Sequence, residues 1–269
     1  MYGPKLNRSL NPKTEILISG GANGALSSFV SALCNEGDEL LLFEPAYPAY
    51  YDYVELAGAK MKTVPLTVKE GEWVFDAQQV RAALSDKTKV FVLNTPHNPT
   101  GKCFTREEQE TLTEILKDFP HVVVIADEVY DFLTFDNKEH VRFATIGDNW
   151  NRTITMYSGG KLLNCTGWKV GWSIGPQKLI RLGGIVNNVT TFSTNTPAQV
   201  AISKSLKKAF EPDPQTGTIF VDLSKHNFSA VRDFLYKELK EMDLPWEPLP
   251  CHSGYFMMVN IEKCKDMVP

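Results

Sequence analysis

Thr88-Lys-Val-Phe-Val-Leu-Asn94, then Arg106-Glu-Glu-Gln-Glu-Thr-Leu-Thr-Glu-Ile-Leu-Lys117, then Val122-Val-Val-Ile-Ala126: an apolar run, a stretch of helical period and a second apolar run follow one another. In the middle stretch Leu112, Ile115 and Leu116 share one face and Glu107, Glu110 and Glu114 stay wet, the pattern of a helix that covers a sheet. Working outward, the same alternation recurs. Strands are expected at Ile16 to Ser19, Glu39 to Phe43 and Lys60 to Pro65 upstream, and at Thr153 to Tyr157 and Lys169 to Ile174 downstream. Helices are expected at about Ala25 to Cys34, Ala77 to Leu84, Pro176 to Val189 and Pro197 to Ala209. This predicts an α/β fold, a mainly parallel sheet sandwiched by helices. After the polar loop Glu211 to Gly217, a long helix from about Leu223 to Glu241 and a strand from Tyr255 to Ile261 read as the beginning of a small α+β domain. The expected division is therefore residues 1–222 and 223–269.

Composition narrows the function. The chain has 269 residues, 43% of them hydrophobic, enough for a substantial core. A formal net charge of -4, from 28 Lys plus Arg against 32 Asp plus Glu, offers no basic surplus for nucleic acid or an anionic membrane, so a small-molecule substrate is expected. The five cysteines are widely spaced with no C-x-x-C pair, which reads as reduced, mostly buried thiols and no metal site. No apolar run approaches the ~20 residues that span a bilayer, and Met1-Tyr-Gly-Pro-Lys-Leu does not form a basic region followed by an apolar one. The compartment expected is the cytoplasm or the mitochondrial matrix.

In sheets of this kind ligands bind beyond the carboxyl ends of the strands, and four segments there carry chemistry. Gly20-Gly-Ala-Asn-Gly24 lies between a strand and a helix start; it suits a phosphate, or serves as a tight connection. Asp127 ends the run Val122 to Ala126, where a buried carboxylate needs a cationic partner such as a pyridinium nitrogen, or caps a helix. Tyr130, three residues on, faces the same place if a helical turn begins there. Thr95-Pro-His-Asn-Pro-Thr-Gly101 is a loop fixed by two prolines that can aim Asn98 at a ligand, and its Asn-Pro bond is a candidate for the cis isomer. Met156-Tyr-Ser-Gly-Gly-Lys-Leu-Leu-Asn-Cys-Thr-Gly-Trp-Lys-Val-Gly-Trp172 gathers Ser158, Lys161 and Lys169 among glycines. One lysine can form a Schiff base if burial and a positive neighbour lower its pKa, and the other can neutralise a phosphate.

Taken in order, G-G-A-N-G-A-L, E-P-A-Y-P-A-Y, N-T-P-H-N-P-T-G-K, I-A-D-E-V-Y and S-G-G-K…T-G-W-K-V-G-W make the chain resemble the fold-type I, class I/II aminotransferases. It is most similar to the kynurenine aminotransferase, glutamine transaminase K and cysteine-S-conjugate β-lyase group, from about Leu17 to Ile261. The resemblance implies the cofactor pyridoxal 5'-phosphate (PLP), the large domain of the PLP-transferase fold and a homodimer or a subunit of a larger assembly. It implies that Lys161 forms the Schiff base and then shuttles a proton between the substrate Cα and the cofactor's C4′, and that Asp127 pairs with the ring nitrogen. Tyr130 and Asn98 are implied at the phenolic oxygen, Tyr47 stacked on the ring, and Ser158, Lys169 and the backbone N–H groups of Ala22 and Asn23 around the phosphate. Phe192 matches an aromatic that reaches the neighbouring subunit's substrate pocket; a plain core phenylalanine is the alternative.

The departures from the family are equally specific. Its members are roughly half again as long, so the chain is truncated at both ends relative to them. The arginine for the substrate α-carboxylate belongs to the part not represented, and none of Arg8, Arg81, Arg106, Arg142, Arg152, Arg181 and Arg232 lies in a matching motif. Three readings stand: an aminotransferase moving an amino group from an aromatic or glutamine-like amino acid to a 2-oxo acid; a cysteine-S-conjugate β-lyase; and a truncated, non-catalytic paralogue serving as a structural subunit.

Overall fold

The apolar runs become strands because helices cover them on both faces. In the computed structural model, which describes residues 1–264, the chain opens with α1 (Tyr2–Lys5), β1 (Ile16–Ser19), α2 (Gly21–Leu33), β2 (Glu39–Glu44), α3 (Ala49–Leu56) and β3 (Lys60–Pro65). A hairpin of β4 (Thr67–Lys69) and β5 (Glu72–Val74) follows, then α4 (Ala77–Ala83), β6 (Thr88–Asn94), α5 (Arg106–Lys117) and β7 (Val123–Asp127). Next come β8 (Thr153–Ser158), α6 (Gly159–Leu162), β9 (Gly171–Ile174), α7 (Gln177–Thr190), α8 (Thr196–Ala209) and α9 (Phe220–Glu241). The short strands β10 (Glu247–Pro248) and β11 (Val259–Asn260) close the described chain.

The main sheet has seven strands in the order β1-β9-β8-β7-β6-β2-β3. From β3 to β8 neighbours are parallel, and β9 runs antiparallel to both β8 and β1. The strand period sorts side chains between two cores. Leu41, Phe43, Phe91, Leu93, Val124 and Ala126 face α4 and α5, whereas Leu40, Leu42, Val90, Val92 and Ile125 face α2 and α7. Helix α5 forms where its sequence directs: Thr105 and Glu108 make a reciprocal capping box, and Leu112, Ile115 and Leu116 are buried.

Several expectations need adjustment. Helix α2 starts at Gly21, four positions ahead of Ala25, so Ala22 and Asn23 fall in its first turn, where N–H groups lack intrahelical partners. Helix α3 is absent from the sequence reading, because it follows a Pro-rich turn and buries only Tyr50 and Val54. The strand expected at Tyr255 to Ile261 shrinks to β11. The residues just ahead of it are tied to other loops: the N–H of Gly254 donates to the Leu133 carbonyl and that of His252 to the Gly101 carbonyl. Helix α9 runs unbroken across positions 222 and 223. Residues 265–269 of the second expected domain lie outside the described residues. No helix among the described residues is long and apolar enough to cross a membrane, and the five cysteines are free.

Candidate active site

Sheet polarity brings the chemistry to one edge. Strands β1, β6, β7 and β8 end there with Ser19, Asn94, Asp127 and Ser158, and antiparallel β9 begins there with Gly171. The loops beyond enclose a cavity of ≈ 470 Å³, within the usual size of a small-molecule site. Nine expected residues line it: Ala22, Asn23, Tyr47, Asn98, Asp127, Tyr130, Ser158, Lys161 and Lys169. Phe192 does not. It is 81% exposed with a φ of 63°, so the core alternative is wrong and its side chain lies outside this chain's own cavity.

At one end of the cavity the first turn of α2 meets the two-lysine loop. Gly21 has a φ of 76°, which a side chain would strain, and a Cβ there would touch the Cα of Lys169. Gly171 is tighter still. A Cβ on it would lie 2.6 Å from the carbonyl carbon of Gly21 and 2.7 Å from the nitrogen of Ala22. Lys169 itself adopts the left-handed conformation, φ 51° and ψ 49°, uncommon for a residue with a side chain. The Ser158 hydroxyl caps α6 by accepting from the Lys161 N–H at 3.3 Å. A hydroxyl, an ammonium and the free N–H groups of a helix start form a donor set suited to a phosphate.

Asp127 also lines the cavity, 7% exposed. The Tyr50 hydroxyl donates to its Oδ2 at 2.7 Å and the Val129 N–H to its Oδ1 at 3.4 Å. Burial outweighs both bonds and pushes the carboxyl up to about 6. The acid is thus held in a place that favours a cationic ligand atom. Lys161, half-buried, is lowered by burial and by the neighbouring Lys169 charge, while Asp127 opposes the change. Its Nζ lies 5.7 Å from the ring centre of Tyr130 and 5.5 Å from that of Tyr255. An amine shifted toward its neutral form is a nucleophile. Burial, foremost, and then the Asp127 charge raise the Tyr130 phenol. Tyr47 meets Tyr50 edge-on at 5.7 Å and accepts a hydrogen bond from Asn23 Nδ2 at 3.2 Å.

The structure adds residues not singled out in the sequence. Tyr50 partners Asp127 across the sheet edge; its only trace is the spacing of Tyr47 and Tyr50 in E-P-A-Y-P-A-Y. Asn94 lines the cavity between Asp127 and Asn98. Tyr255 donates to the Lys161 carbonyl at 2.7 Å, and Phe256 lines the mouth. Among the described residues, no arginine lines the cavity.

Comparison with known proteins agrees with this geometry. The family model described as "Aminotransferase class I and II" matches residues 3–267. The kynurenine--oxoglutarate transaminase of Dictyostelium discoideum is 36% identical over 96% of this chain and 61% of its own length. Kynurenine--oxoglutarate transaminase 3 of Mus musculus is 34% identical over 97% of this chain and 58% of its own. Among solved structures, N-succinyldiaminopimelate aminotransferase from Mycobacterium tuberculosis superposes with a TM-score of 0.87 at 33% identity, over 95% of this chain and 64% of that one. An Escherichia coli protein with a methionine aminotransferase function gives a TM-score of 0.85 at 29% identity, over 97% and 65%. The chain spans about three fifths of the length of the curated relatives it matches. With a family match over nearly its whole length and the family's motifs gathered at one sheet edge, the chain belongs to the class I and II aminotransferases.

Proposed function

We propose that the protein is a PLP-dependent aminotransferase that moves an amino group from an aromatic or glutamine-like amino acid of the kynurenine type to a 2-oxo acid. The observation that carries the reading is one cavity holding a lysine of lowered pKa, a buried acid and a phosphate-type donor set. These groups fit PLP end to end: an anion site, an amine and an acid awaiting a cation. Ser158, Lys169 and the N–H groups of Ala22 and Asn23 would hold the phosphate, Lys161 the aldehyde, Asp127 the ring nitrogen, Tyr130 and Asn98 the phenolic oxygen, and Tyr47 the ring face. When bound, PLP supplies an acceptor for the electrons released at the substrate Cα. Asp127 keeps a proton on the ring nitrogen, which its buried carboxylate favours. Lys161, its ammonium destabilised by burial and by Lys169, would be the group that moves a proton at the substrate Cα.

Residues 1–222 would form the PLP-binding domain and residues 223–269 the interdomain helix with part of a small domain. A homodimer belongs to the same reading, with exposed Phe192 reaching a second copy. The alternative is a non-catalytic structural subunit of a larger assembly. Borohydride reduction in the presence of PLP, followed by peptide mass analysis, is expected to place a pyridoxyl adduct on Lys161 and none in Lys161→Ala. An unmodified Lys161 removes both enzyme readings. An adduct with oxo-acid formation from kynurenine or glutamine, in this chain or once the family's missing terminal segments are supplied, supports the transaminase; pyruvate release from a cysteine conjugate alone supports the β-lyase; an adduct with neither even then supports the subunit.

A further inference from the structure

Asn94 and Asp127 end adjacent parallel strands and are register partners, with side chains on the α2 face of the sheet. Beyond them the chains part: β6 runs into the loop that carries Asn98, and β7 into the turn that carries Tyr130. Asn94 spans the gap. It is 4% exposed, and its amide uses three of its four hydrogen-bonding positions within the protein. Nδ2 donates to the Asp127 carbonyl at 2.9 Å and to the Pro96 carbonyl at 3.2 Å, and Oδ1 accepts the Asn98 N–H at 2.7 Å. Two acceptors on one side and a donor on the other fix the amide orientation, since a flipped amide would face oxygen with oxygen and N–H with N–H. The Asp127 carbonyl also receives the Thr95 N–H at 3.0 Å, so both sides of the gap are tied at this point.

We propose that Asn94 is a positioning residue that fixes the separation and aim of Asn98 relative to Asp127, and thereby tunes a bound cofactor through them. The inference rests on the assignment of Asn98 to the phenolic oxygen of PLP and of Asp127 to the ring nitrogen. The side chain of Asn98 takes no part in the three bonds; only its backbone is pinned, which leaves its amide for the ligand. A donor at the phenolic oxygen stabilises negative charge there. If Asn98 is misplaced, that charge binds a nearby proton more tightly, so the visible absorption of bound PLP titrates at higher pH.

The test is a pH titration of the PLP absorption band, with PLP affinity measured by fluorescence, in the wild type, Asn94→Leu, Asn98→Ala and the double variant. Asn94→Leu keeps the size and loses all three bonds. Its titration midpoint is expected to rise by at least about half a pH unit (threefold in proton affinity) and its Kd for PLP by about tenfold. Loss of fold stability alone would move neither the midpoint nor its coupling to Asn98. In the double variant the midpoint shift is expected to be smaller than the sum of the two single shifts, because Asn94 acts partly through Asn98. Asn94→Ala loses the same three bonds and adds no charge; it is expected to shift in the same direction, which keeps the test available if the leucine variant does not fold. A band in the wild type that Asn94→Leu leaves at the same midpoint, or full additivity with Asn98→Ala, overturns the role of Asn94 alone. No band in the wild type on adding PLP overturns the cofactor reading, and this inference with it.

Discussion

Replacing Asp127 with asparagine should stabilise the cofactor-free protein while weakening its hold on PLP. The carboxyl is raised from 3.8 to about 6 in the folded chain, and a shift of one unit corresponds to about 1.4 kcal/mol, so the ionised acid costs on the order of 3 kcal/mol when no cation faces it. The folded state holds its proton longer than the unfolded state does. Stability of the apo wild type is therefore expected to fall as pH rises from about 4 to about 6 and to level off above that. Asp127→Asn has no such slope. It keeps an acceptor for the Tyr50 hydroxyl but loses the one for the Val129 N–H, a 3.4 Å bond, so the net gain above about pH 7 is expected at about 1–3 kcal/mol. Urea denaturation of both apo proteins at about pH 4, 5.5 and 8 reads the difference directly, and the same series with saturating PLP should reverse the order. If Asp127→Asn proves less stable than the wild type at the alkaline end by the same amount as at the acid end, the claim that Asp127 is held in an electrostatically costly place is refuted.

Two further outcomes follow from the geometry. Tyr50→Phe removes a bond that lowers the Asp127 carboxyl; it should move the pH-dependent loss of apo stability to still higher pH and weaken PLP binding by roughly ten- to a hundredfold, in line with the roughly 1.5–3 kcal/mol of a hydrogen bond to a charged group, as measured by fluorescence titration. Gly171→Ala places a methyl group against backbone of Gly21 and Ala22 that no side-chain rotation relieves; a destabilisation of about 1–3 kcal/mol by urea denaturation, together with a lower affinity for inorganic phosphate, is expected.

The sheet is legible because buried strands write themselves as apolar runs. Glu39 to Phe43 and Thr88 to Asn94 match β2 and β6 to within a residue, since covering both faces leaves little room for polar side chains. Most cavity-lining residues are legible for a related reason: they follow those runs immediately, where such folds keep their ligands. Resemblance then gives each a role that strand ends alone leave open. What local pattern does not carry is pairing over distance. Tyr50 and Asp127 are 77 residues apart in sequence, and a tyrosine after a Pro-rich turn reads the same whether its hydroxyl meets a buried acid or water. Asn94 reads as no more than the last residue of a strand, and its value emerges only once Asp127 and Asn98 stand on either side of it. The reduction of Tyr255 to Ile261 to a two-residue strand has the same origin: its apolar run suits a strand, but the backbone leading into it is satisfied by the Leu133 and Gly101 carbonyls.

The one strand that runs against its neighbours also bears on how the protein assembles itself. A parallel step from β8 would carry the chain around the sheet to its far edge before it could return. Because β9 reverses, the connection holding Lys161 and Lys169 leaves and re-enters the sheet at the same edge, and the pairing of Ser158 with Gly171 closes it. Contacts close in sequence form at smaller entropic cost than distant ones. The two cationic groups can therefore be brought together during folding before the strand that supplies Asp127 is locked beside β6. The Ala22 and Asn23 N–H groups that complete the anion site come from the far end of the chain, so the site closes only when α2 docks against β9.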